Sequence, residues 1–110
     1  MHGIIQNNIS QLKQLCVAHN VAKLYAFGSV TSEGFNEETS DIDLVAELQP
    51  LTPIENGEKL MSLWDALELL FKRKVDLLTE QTIKNKFLKK SINDTKVIIY
   101  DGKSTISIQM

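Results

Sequence analysis

The chain has 110 residues, a formal net charge of −2 and a sequence pI of about 5.6. That length gives one domain with one core and leaves no room for a separate substrate domain, and the acidic balance argues against a broad basic face for stable nucleic-acid binding. The single cysteine, Cys16, excludes an internal disulfide, and no apolar run reaches membrane-spanning length, so a cytoplasmic protein without a membrane anchor is expected.

Ile5, Ile9, Leu12, Leu15 and Cys16 recur at steps of three and four, which predicts one amphipathic helix ending near His19-Asn20. Cys16 falls on its apolar stripe and reads as core. His2 and His19 have no cysteine or histidine at metal spacing and read as surface residues. Leu24 to Phe27 (LYAF) predicts a short buried strand that ends at Gly28-Ser29. A Gly-Ser pair is most often a turn; it is also what a phosphate requires, since glycine permits close approach to the backbone and serine adds a hydroxyl donor. The loop from Val30 to Ser40 contains Glu33, Glu37 and Glu38 and reads as a solvated acidic loop.

From Asp41 to Leu48 polar or small residues alternate with apolar ones, the period of a half-buried strand. Side chains two apart share a face, so Asp41 and Asp43 project together while Ile42 and Leu44 enter the core. Two neighbouring carboxylates repel unless solvent, a proton or a cation lies between them. Hard divalent ions favour such oxygen ligands, although an Asp-x-Asp pair is as often a solvated strand face.

Pro50 ends this strand. Thr52-Pro53-Ile54-Glu55 has the form of a capping box with proline at the first helical position, but Asn56-Gly57 weakens it, so the regular helix is expected nearer Glu58. Leu60, Leu63, Trp64, Leu67, Leu70 and Phe71 form its apolar face, and Trp64 reads as core rather than as a platform for a base. Lys72-Arg73-Lys74 closes the helix, where cations complement the dipole; the alternative is that one of them reaches a phosphate or a partner.

Lys74 to Thr79 (KVDLLT) predicts another strand, with Asp76 between Val75 and Leu77. An acidic residue in an apolar strand needs a reason, and pairing beside Asp41 and Asp43 would supply one. Three carboxylates can hold two metal ions for an in-line displacement. Thr79 is expected to cap a helix whose apolar side is Ile83, Phe87, Leu88 and Ile92. Asn93-Asp94-Thr95 reads as a turn, and Val97 to Tyr100 as a last strand. The fold class expected is α/β (α+β): one domain over residues 1–102, a mixed sheet with helices packed mainly on one side, and a tail over 103–110.

The order strand, Gly28-Ser29, loop, Asp41-x-Asp43, helix, strand with Asp76 resembles the nucleotidyltransferase superfamily that includes DNA polymerase beta, and at this length its minimal nucleotidyltransferases (MNT), which are encoded beside HEPN-domain toxins in toxin–antitoxin pairs. The resemblance runs from about Leu12 to Tyr100. It implies ATP as substrate and two Mg²⁺ ions, with Mn²⁺ as a substitute, held by Asp41, Asp43 and Asp76. It also implies phosphate binding at Gly28 and Ser29, and transfer of AMP to a tyrosine of a partner HEPN toxin. Val30 and Thr31 follow Gly28-Ser29 where many relatives carry a basic residue, which removes one phosphate contact. Two rival functions are a non-catalytic antitoxin that masks its partner and nucleotidyl transfer to a small molecule.

Overall fold

The computed structural model describes residues 3–28, 41–50, 52–79 and 83–102. His2, Ser29, the acidic loop with Glu33, Glu37 and Glu38, and the 103–110 tail lie outside the described residues. The elements in chain order are α1 (Gly3–Asn7), α2 (Ile9–Ala18), β1 (Val21–Phe27), β2 (Ile42–Leu48), α3 (Pro53–Phe71), β3 (Val75–Leu78), α4 (Lys86–Thr95) and β4 (Val97–Asp101). The strands form one mixed sheet in the order β3-β2-β1-β4. β1 is antiparallel to both β2 and β4, and β2 is parallel to β3.

The alternation of each strand decides which side meets the helices. Leu24 and Ala26 of β1, Ile42, Leu44 and Ala46 of β2, and Val75 and Leu77 of β3 form one buried cluster with Ile5, Leu12, Cys16, Leu63, Leu67 and Phe71 from the first three helices. Each such leucine contributes about 1.5–3 kcal/mol by leaving water. The intervening residues, Tyr25 and Phe27, Asp43, and Asp76, therefore belong to the other face. Val45 and Ile92 are buried outside that cluster. Lys96, the residue after α4, places its Nζ 4.2 Å from the centre of the Tyr25 ring on this second face.

Several local expectations are corrected. The N-terminal helix is two helices, because the Asn8 side chain donates to the Ile4 carbonyl at 2.8 Å and its backbone N–H turns to Ile5 at 3.2 Å, which interrupts the regular ladder. β1 begins at Val21 rather than Leu24: Asn20 takes a left-handed conformation (φ 57°) that turns the chain directly from α2 into the strand. α3 begins at Pro53, not near Glu58. Thr52 Oγ1 accepts from the Glu55 N–H at 3.2 Å, and this cap overrides the weak propensity of Asn56-Gly57. Asn85, not Thr79, caps α4, its Oδ1 accepting from the Phe87 and Leu88 N–H groups at 2.9 and 3.3 Å. Asn93-Asp94-Thr95 is the last turn of that helix rather than a loop. Of the apolar side expected for α4, only Ile92 is buried; Phe87 is 87% and Leu88 44% exposed.

His19 is not a free surface residue. Its Nδ1 lies 2.8 Å from the Leu15 carbonyl, which can only accept, so Nδ1 carries hydrogen and Nε2 meets the Ser62 hydroxyl at 3.0 Å, tying α2 to α3. Cys16 is fully buried, as the periodicity implied, and burial pushes its thiol up to about 12. Among the described residues no helix is long and apolar enough to cross a membrane.

Candidate active site

Asp43 stands at the centre of the site because its strand does. Its Cα is in register with Phe27 of β1 on one side and with Asp76 of β3 on the other. Parallel pairing of β2 with β3 thus brings together two aspartates that lie 33 positions apart in the sequence. The register is set at its beginning by a bond from the Ile42 N–H to the Lys74 carbonyl at 3.2 Å.

The position of Asp76 depends on α3. β3 is an edge strand, so the backbone of Val75 has polar groups turned away from β2. Trp64 Nε1 donates to the Val75 carbonyl at 2.6 Å, and Glu68 Oε2 accepts from the Val75 N–H at 3.0 Å. Trp64 and Glu68 are four residues apart on one helical face, which lets one turn of α3 hold both groups of a single strand residue. This clamp sits immediately before Asp76. Trp64 packs against the core, as its place on the apolar stripe implies, but the periodicity gives no sign of the clamp. The available signal was Glu68, an acidic residue facing the same side as the apolar stripe.

Gly28 closes the other side. It has φ 72°, in the left-handed region, and a Cβ added there would stand 2.5 Å from Asp43 Oδ2. A side chain there would need both a left-handed backbone and a shift of the Asp43 carboxylate, so the chain leaves β1 tightly against the carboxylate of β2.

The electrostatics follow from this crowding. The Asp43 carboxyl is pushed up to about 6, first by burial, then by the charge of Asp76 and a hydrogen bond with it, and last by the charge of Asp41. Neighbouring carboxylates repel one another, so Asp43 and Asp76 form a unit that calls for positive charge. The Asp41 side chain is 42% exposed, its Oδ2 3.9 Å from the Lys74 Nζ. Gly28, Asp41, Asp43 and Asp76 are therefore neighbours, while Ser29 lies outside the described residues. Among the described residues no three histidine, cysteine or acidic side chains converge on one metal-sized point. The tight unit is the Asp43–Asp76 pair. Its all-oxygen donors, and the crowding of like charge that a cation would relieve, fit a hard divalent ion.

Comparison with known proteins bears on the family and the fold. The nucleotidyltransferase domain model matches residues 9–99. A Methanocaldococcus jannaschii protein provisionally named protein adenylyltransferase MJ0126 is 34% identical over 88 residues, covering 79% of this chain and 85% of the relative. A second from that organism, provisionally named protein adenylyltransferase MJ1217, is 32% identical over 100 residues, covering 83% of this chain and 97% of its own. Among solved structures, a protein described as a minimal nucleotidyltransferase superposes with a TM-score of 0.63 at 22% identity, over 88% of this chain and 95% of that one. A chain from the Shewanella oneidensis complex of a tri-AMPylated HEPN toxin with its MNT antitoxin gives a TM-score of 0.56 at 19% identity, over 94% and 78%. At these identities the solved structures establish the fold.

Proposed function

The chain belongs to the nucleotidyltransferase domain family, and we propose that it transfers AMP from ATP to a tyrosine hydroxyl of a partner HEPN toxin, acting as the antitoxin. The observation that carries this reading is the Asp43–Asp76 pair, held in register across β2 and β3 and faced by Gly28. The names of similar proteins support the choice of reaction and partner: relatives named as protein adenylyltransferases, a complex in which an MNT antitoxin accompanies an AMPylated HEPN toxin, and a toxin–antitoxin structure with AMP-PNP.

In this reading Gly28 and Ser29 hold the β- and γ-phosphates through backbone N–H groups and the serine hydroxyl. Asp41 and Asp43 would hold two magnesium ions, with manganese as a substitute, and Asp76 would share the one on the nucleophile side. Bound there, the ions neutralise the charge of the triphosphate and of the departing pyrophosphate. Asp76 takes the proton from the incoming hydroxyl. The acceptor oxygen forms a bond to the α-phosphorus while the bond to the β-phosphate oxygen breaks, so AMP is transferred and pyrophosphate leaves. In this reading the partner supplies the acceptor hydroxyl.

Incubating the chain with a HEPN partner, ATP and Mg²⁺, then reading the partner's intact mass and the modified residue, tests the proposal. AMP added to a tyrosine is expected. A stable, neutralised complex with an unmodified partner, unchanged by Asp43→Asn, would replace it with a masking module.

A further inference from the structure

Lys72, Arg73 and Lys74 are consecutive cations, and the fold gives each a different place. Lys72 is the left-handed cap of α3, its N–H bonded to the Glu68 carbonyl, and Arg73 is half-buried. Lys74 precedes β3, and its carbonyl takes the first bond of the β2–β3 ladder, from Ile42. Lys74 and Asp76 are two apart on one chain, as Asp41 and Asp43 are on the other, and Asp43 is in register with Asp76. Continued by two residues, that register sets Lys74 opposite Asp41. Three carboxylates and one ammonium thus occupy four corners of one patch of sheet.

The fourth corner is loosely held. Lys74 Nζ lies 3.9 Å from Asp41 Oδ2, at the long end of an ion pair, and the two side chains are 68% and 42% exposed. Such a pair contributes little to stability and is easily exchanged, and the four-carbon stem of lysine lets the ammonium move without the backbone. We propose that Lys74 is a displaceable counter-cation: it neutralises Asp41 while the site is empty of nucleotide, and it turns to the polyphosphate of a nucleoside triphosphate when a divalent cation takes its place on Asp41. This inference rests on the nucleotide reading above. It gives Lys74 two opposed effects, competing with the metal and assisting the phosphates, which a merely structural lysine would not have.

The test titrates the full chain and its Lys74→Ala and Lys74→Arg variants by calorimetry, with Mn²⁺ alone and then with ATP or AMP at saturating Mg²⁺. Lys74→Ala is expected to bind ATP about tenfold more weakly, the scale of one charge-assisted contact. AMP binding should change far less, Mn²⁺ alone should bind no more weakly than to wild type, and Lys74→Arg should recover most of the ATP affinity. Wild type that binds ATP no better than Lys74→Ala does overturns this inference alone. Equal weakening of ATP, AMP and Mn²⁺ also overturns it, because that pattern is loss of structure. Wild type that binds neither ATP nor Mn²⁺ overturns the nucleotide reading, and the role of Lys74 with it.

Discussion

A methyl group on Gly28 would meet Asp43 Oδ2 at 2.5 Å and its Cγ at 3.5 Å, so the end of β1 and the central carboxylate of β2 are fitted to each other. Gly28→Ala combines that collision with a left-handed backbone (φ 72°). A left-handed conformation costs an alanine about 1–2 kcal/mol, and denaturant unfolding should show a loss of that size. The displaced Asp43 should reduce ATP binding more than the stability loss accounts for. Full ATP affinity in a folded Gly28→Ala protein would separate Gly28 from the site.

The raised Asp43 carboxyl makes stability depend on pH in a definite direction. Its folded value, about 6, lies above that of the unfolded chain. Above pH 6 both states are ionised, and folding bears the full cost of confining the charge. As pH falls through 6 toward the usual aspartate range, the folded chain takes up the proton first and the cost is relieved. Asp43→Asn should therefore be more stable than wild type at pH 8, by about 1–2 kcal/mol after allowance for solvent screening, with the advantage gone near pH 4. Mg²⁺ should stabilise wild type at pH 8 and leave Asp43→Asn nearly unchanged. Thermal melts at the two pH values, with and without Mg²⁺, check all of this.

The clamp on Val75 predicts an effect at a distance. Trp64→Phe keeps most of the apolar area but strands the Val75 carbonyl, and Glu68→Leu strands its N–H. Each should cost about 1–2 kcal/mol. Because the clamp fixes the residue before Asp76, each should also lower transfer activity beyond the fraction unfolded. Hydrogen exchange at Val75 should rise most in Glu68→Leu. Unchanged exchange there would mean that β3 is held by β2 alone.

The parts of this account that were legible in the sequence are those where one residue class repeats with one period. Asp41 to Leu48 alternates without a break, so both the strand and the shared face of Asp41 and Asp43 could be read directly, and the apolar flanks of Asp76 marked β3. The turn chemistry was less legible where two residues compete for one role. Thr79 and Asn85 are both good caps, and only the folded chain decides for Asn85. Asn8 looks like any polar residue of a helix until its side chain is seen bonded to Ile4. Thr52 and Glu55 form a visible cap, and the penalty of Asn56-Gly57 that argues against it is smaller than the gain from the cap and the packing of Leu63 and Leu67. The clamp by Trp64 and Glu68, and the place of Lys74 opposite Asp41, depend on the β2–β3 register, which no local pattern carries.

The most direct test of the central claim follows the label from ATP. The chain and its HEPN partner are incubated with Mg²⁺ and ATP labelled at the α-phosphate, and in parallel with ATP labelled at the γ-phosphate, beside an Asp43→Asn/Asp76→Asn control. The account predicts label on the partner from the α-phosphate alone, and none with the control. Label from the γ-phosphate, or α-label that persists in the control, would contradict it.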